Sequence, residues 1–168
     1  MHRLSHNAII LAILVALTVS LGTTAKAQDS ISQATLQKMY VDYLVEEGYK
    51  PAIDADGDVV FKSESMTYFI AVRQDDPEYF SIMLPNFWEI ESQQEHLQVL
   101  IAADSANAKS KVAKIYTLKS NTWAAVEIFI GKPEDFKVVF PRSLKAIKEV
   151  VENFVVKMRE LRETDSEE

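Results

Sequence analysis

The 168-residue chain contains no cysteine, so disulfide staples, thiol catalysis, lipid attachment through cysteine and cysteine-ligated metals are all excluded. Glycine occurs four times and proline five times, too rarely for a flexible linker or a low-complexity segment. Of these glycines, Gly48, Gly57 and Gly131 lie beyond the first 27 residues, and none sits in a phosphate-cradling loop. Histidine is equally scarce, and His96 is the only one past residue 27. A single histidine cannot build a multi-histidine metal site. The chain also lacks an apolar run of the ~20 residues needed to span a bilayer; its longest, Ala8 to Leu21, has 14.

That short run has a different meaning. Met1-His2-Arg3 forms a basic start, the apolar run follows, and Ala25 and Ala27 present small residues at the spacing a signal peptidase accepts. Residues 1–27 thus read as a cleaved signal peptide with Gln28 as the new N-terminus, which places the protein in the periplasm or outside the cell without a stable membrane anchor. Cleavage of 27 from 168 residues leaves 141, the length of one domain. Such a length can bury roughly two-thirds of its unfolded surface, so a core forms without staples. Loss of Arg3 and Lys26 from the 18 basic residues leaves 16 against 25 acids, a net charge of −9. That surface repels nucleic acid and anionic membranes.

Past the leader, Ser30 and Gln33 have the spacing of a capping box, and Leu36, Met39, Tyr40, Tyr43 and Leu44 recur on one helical face. Gly48 is placed to end that helix in the left-handed conformation. The period then changes to two. Asp56-Gly57 signals a hairpin between Ala52-Ile53 and Val59-Val60-Phe61. A second turn at Glu64-Ser65 precedes Met66 to Val72, and Tyr79 to Leu84 reads as a third strand. Ser92 with Glu95 opens a second helix, whose apolar residues are Leu97, Leu100 and Ile101. Strands over Val112 to Leu118 and Trp123 to Ile130 follow, joined at Ser120-Asn121. Pro133 starts a final helix with a stripe from Phe136 to Leu161, which Pro141 is expected to kink or split. The domain therefore covers residues 28–162, and residues 163–168 read as a disordered acidic tail. Helix, three strands, helix, two strands, helix makes an α+β fold: an antiparallel sheet with helices on one face.

The chain resembles the YbjN family of bacterial sensory transduction regulators. The resembling residues are Leu44-Val45-Glu46-Glu47-Gly48-Tyr49, the hairpin Asp54 to Phe61, Asn107, Lys114 and the long last helix. The resemblance spans nearly all of the chain after the leader and implies the fold of type III secretion chaperones. It brings no catalytic residues, and because many members lack a signal peptide, a cytoplasmic regulatory role does not carry over.

Motifs for chemistry fail on spacing. Asp54-x-Asp56-Gly57-Asp58 has its glycine at position four, whereas an EF-hand loop needs it at six and a Glu at twelve; position twelve here is Ser65. His96 lies in a helical first turn, and Glu89, Glu91 and Glu95 flank a helix start where the dipole already favours acids. No catalytic residue, metal or cofactor is expected, and the chain reads as a non-enzyme. The aromatic residues remain. If Ala124, Val126, Ile128 and Ile130 face the helices, alternation turns Trp123 and Phe129 to the other face, with Phe69 and Met83 beside them and Phe87-Trp88 just past the third strand. These six are the candidate contacts for a protein partner or a second copy, through the sheet face or an edge. A small-ligand carrier or hydrolase with an apolar pocket between helices and sheet is the alternative. Mass spectrometry of the exported protein should find an N-terminus within a residue or two of Gln28. A mature species retaining Ala8 to Leu21 would identify an anchor instead.

Overall fold

The computed structural model describes residues 31–166. The leader, Ser30 and the last two glutamates lie outside these residues. Helix α1 (Gln33–Glu46) is capped by Ser32 rather than Ser30, its hydroxyl accepting from the Thr35 N–H at 3.2 Å. Gly48 follows at φ 85°, and the Tyr49 N–H closes the helix end on the Leu44 carbonyl. Six strands then form one antiparallel sheet: β1 (Ala52–Ile53), β2 (Val59–Ser63), β3 (Met66–Ile70), β4 (Tyr79–Glu89), β5 (Ala113–Leu118) and β6 (Asn121–Phe129). Their spatial order is β1-β2-β3-β4-β6-β5. The arm before the Asp56-Gly57 turn is itself a two-residue strand, one more than the expected three. Between β4 and β5 lies α2 (Gln93–Lys109), and a 3₁₀ turn at Pro133–Asp135 leads into α3 (Phe136–Ser166).

The two early turns are held by different chemistry. Asp54 Oδ1 accepts from the Asp56 and Asp58 N–H groups, both at 3.0 Å, and Gly57 supplies the left-handed residue at φ 88°. Asp58 Oδ1 in turn accepts from the Val72 N–H at 2.8 Å. Glu64 and Ser65, both at positive φ, form a two-residue hairpin loop between the paired residues Ser63 and Met66.

One sheet face is packed and the other is not. Val59, Phe61, Tyr68, Ile70, Phe80 and Ile82 are buried beneath the helices, together with Ala124 and Val126. The helices meet that face through rings: Tyr40 lies 4.7 Å from Phe136 and 6.3 Å from Phe80, and Tyr43 touches Phe136 and Phe140 at 5.1 and 5.4 Å. Burial pushes the Tyr40 phenol up to about 12.

Two sequence expectations give way here. Pro141 does not split the last helix, which runs unbroken from Phe136 to Ser166. A proline at 141 cannot donate to the Lys137 carbonyl one turn back; the Tyr43 hydroxyl donates to that carbonyl instead, in a long bond of 3.4 Å. The helix also continues past Arg162, so residues 163–166 are helical and not a disordered tail. On α2, the three apolar residues Leu97, Leu100 and Ile101 face away from the core. They are exposed, at 64, 46 and 50%, while Val99, Ala102, Ala103 and Ala106 are buried. The two sets lie on nearly opposite sides of a helix with 3.6 residues per turn.

Candidate functional site: the open face of the sheet

Alternation places four of the six expected side chains on the uncovered face. Phe69 pairs with Met83 across β3 and β4, and Val60 extends that row on β2. Trp123 pairs with Tyr116 across β6 and β5, their rings 6.4 Å apart. Phe69, Met83 and Trp123 are each partly exposed. Phe129 pairs with Tyr79 at the end of the strands, ring centroids 5.7 Å apart, and is 78% exposed.

An ionic stripe separates Phe129 from the rest. Lys114 pairs with Glu127, and the Tyr79 hydroxyl donates to the same carboxylate. Burial alone would raise the Glu127 pKa. The Lys114 and Tyr79 hydrogen bonds and the Lys114 and Arg73 charges outweigh it and hold the carboxyl below its ordinary range. Tyr79 moves the other way, to about 12, through burial, then its hydrogen bond to Glu127 and that carboxylate's charge.

The remaining two aromatics leave this group. Between Leu84 and Trp88 the β4–β6 register shifts, so Pro85, Asn86 and Phe87 stand opposite the single residue Trp123, with Asn86 at φ 51°. The bulge turns Phe87 and Trp88 toward the helices, where their rings meet Phe154 edge-on at 5.3 and 5.5 Å. Trp88 then belongs to a polar clasp. Its Nε1 donates to Glu95 at 3.1 Å, Arg162 donates to the same oxygen at 2.6 Å, and the guanidinium lies 4.9 Å from the indole centroid. The Glu91 N–H, foremost, with Trp88 and Arg162, lowers the Glu95 pKa against the opposing effect of burial.

The sheet edges are closed as docking strips. β1 is two residues long. On β5 the Ala113 N–H donates to Ser110 Oγ at 3.0 Å. The Ile115 N–H donates to Asn107 Oδ1 at 2.7 Å, and Asn107 Nδ2 donates back to the Ile115 carbonyl at 3.0 Å. Asn107 thereby imitates the next strand and blunts an edge that would otherwise pair with another chain. Sequence reasoning noted Asn107 only as a point of resemblance; an Asn at a helix end followed by a strand is the signal for such a clamp.

Two other surfaces stand out. The exposed Leu97, Leu100 and Ile101 form an aliphatic ridge on α2. A cleft of about 630 Å³ opens between the α2–β5 connection and α3. Among the described residues no group of three His, Asp or Glu side chains could hold a metal ion, and no helix is long and apolar enough to cross a membrane. No protein-family model matches the chain, and no curated protein matches it.

Asn107→Ala should remove two hydrogen bonds from the edge strand, at a cost of about 1–3 kcal/mol, and free the strand to pair. Thermal melts and sedimentation velocity should show a lower melting temperature with concentration-dependent association. A monomer of unchanged stability would show that Asn107 does not guard the edge.

Proposed function

We propose that this chain is an exported, non-catalytic binding module of the chaperone-like kind, and that it docks a neutral or basic polypeptide on the open sheet face. The observation that carries the reading is the set Phe69, Met83 and Trp123: three large apolar side chains in adjoining rows of a face that no helix covers, with both edges closed. A folded chain that leaves such rows to water has a use for them, because association buries area that folding did not. The net charge of −9 after loss of the leader sets the partner's class, since two copies repel each other and a neutral or basic chain does not. Export rests on the leader. The YbjN-like kinship rests on the order of helices and strands and on the Asp54 to Phe61 hairpin, and it agrees with a binding role.

The α2 ridge supports a second reading, in which Leu97, Leu100 and Ile101 are the contact. Capture from periplasmic extract by three baits distinguishes the two. A partner held by the parent protein should be lost with Trp123→Ser/Phe129→Ser and kept with Leu97→Gln/Ile101→Gln. Aromatic anchors at an interface contribute on the order of 2 kcal/mol each, so the loss should be about thirtyfold or more. The first variant should still fold, with a melting temperature lowered only by loss of the partly buried Trp123 ring, because Phe129 is already exposed. The reverse pattern of capture would move the contact to α2, and self-association lost with the same aromatic pair would make the partner a second copy.

A further inference from the structure

The cleft beside α3 combines a cationic rim with an apolar floor. Its rim carries four cations: Lys109 and Lys111 from the α2–β5 connection, Arg142 and Lys145 from α3. Only Glu149 opposes them, and it pairs with Lys145 at 3.5 Å between two largely exposed side chains, an interaction of little strength. Lys109, Lys111 and Arg142 have no ion pair among the described residues. Four cations against one acid is the opposite of the chain's own balance of 18 against 25.

Beneath the rim the lining is apolar. The helices stop short of covering the inner sheet face at Ile128, which is only partly buried, and Val112, Val139, Ala146 and Val150 complete the floor. Val112 is 51% exposed, so the floor opens to solvent on this side. The buried Ser143 adds a hydroxyl within the cleft. A free anion would use the rim and leave the floor wet, whereas a neutral apolar molecule would leave the cations without partners. A volume of about 630 Å³ also lies in the range of small-molecule sites.

We infer that this cleft binds an anionic amphiphile, its carboxylate or phosphate head held by Lys109, Lys111 and Arg142 and its hydrocarbon body lying on Ile128, Val139 and Val150. This site is separate from the open sheet face, and its occupancy does not depend on the docking reading.

Calorimetry on the purified protein with decanoate, decyl phosphate, decanol and inorganic phosphate tests it, each amphiphile below its micelle concentration. At least one of the two anionic amphiphiles should bind about tenfold or more tighter than decanol or phosphate alone, and the tighter of the two identifies the head group. Lys111→Ala/Arg142→Ala, confined to exposed side chains, should weaken that binding by about tenfold or more without shifting the melting temperature. Ala146→Trp should fill the floor and block the body, and Trp123→Ser/Phe129→Ser should leave decanoate binding unchanged. Equal binding of decanol and the anionic amphiphiles, equal binding of phosphate alone, or no effect of Lys111→Ala/Arg142→Ala would overturn the assignment. So would binding to phosphatidylglycerol vesicles with none of monomeric decanoate or decyl phosphate, which would make the cations a membrane-facing patch.

Discussion

The aromatic cluster that joins α1 to the start of α3 is the contact on which the remaining architecture depends. Tyr40 and Tyr43 from α1 and Phe136 and Phe140 from α3 meet edge-to-face over the sheet, and Phe61 and Phe80 close the cluster from below. Tyr49 joins it through Phe61 and Phe140, tying the first hairpin to both helices. Each such pair contributes about 0.5–1.5 kcal/mol beyond the area it buries. The cluster also makes Pro141 tolerable, because Tyr43 is held where its hydroxyl can reach the Lys137 carbonyl. With both ends of the described chain fixed on one side of the sheet, the other side is left open.

The sheet was largely legible in the sequence because strand periodicity is read locally. Polar turn residues at Asp56-Gly57 and Glu64-Ser65 bound short apolar runs, and the alternation from Ala124 to Phe129 assigns opposite faces without reference to the rest of the fold. Phe69, Met83, Trp123 and Phe129 were placed correctly on that basis. Phe87 and Trp88 were not, because a bulge changes the count and nothing in Pro85-Asn86 states its size. The face that α2 buries was not legible either. Leucine and isoleucine outrank alanine in hydrophobicity, yet Ala102, Ala103 and Ala106 are small enough to let α2 approach its neighbours closely. A pocket between helices and sheet was legible only as an alternative without a lining, since Lys109, Arg142 and Ile128 come from three elements and meet only on folding.

The acidic side chains hold turns and clasps in place. Acid groups that might suggest chemistry are taken up structurally: Asp54 and Asp58 organise turns, and Glu95 unites Trp88, Arg162 and the Glu91 N–H. Such groups fix the scaffold, whereas the exposed side chains of the α2 ridge and of the cleft rim lie outside the core, and only the cleft floor at Val150 is shared with it. A disulfide-free domain can carry such surfaces because its core supplies the stability, with 28 mutually packed buried apolar residues among the described ones reaching from α1 to α3.

Hydroxyl-radical footprinting of the native protein, read by mass spectrometry, measures whether the sheet is covered on one side only. Met83 and Met158 are matched reporters, as are Phe129 and Phe80, one of each pair on the open face and one in the core. The account predicts rapid oxidation of Met83, Trp123 and Phe129 with Met158, Phe80 and Phe136 protected until the protein unfolds. Protection of Met83 and Trp123 equal to that of Met158 and Phe80 would mean that the second face is covered, and would contradict it.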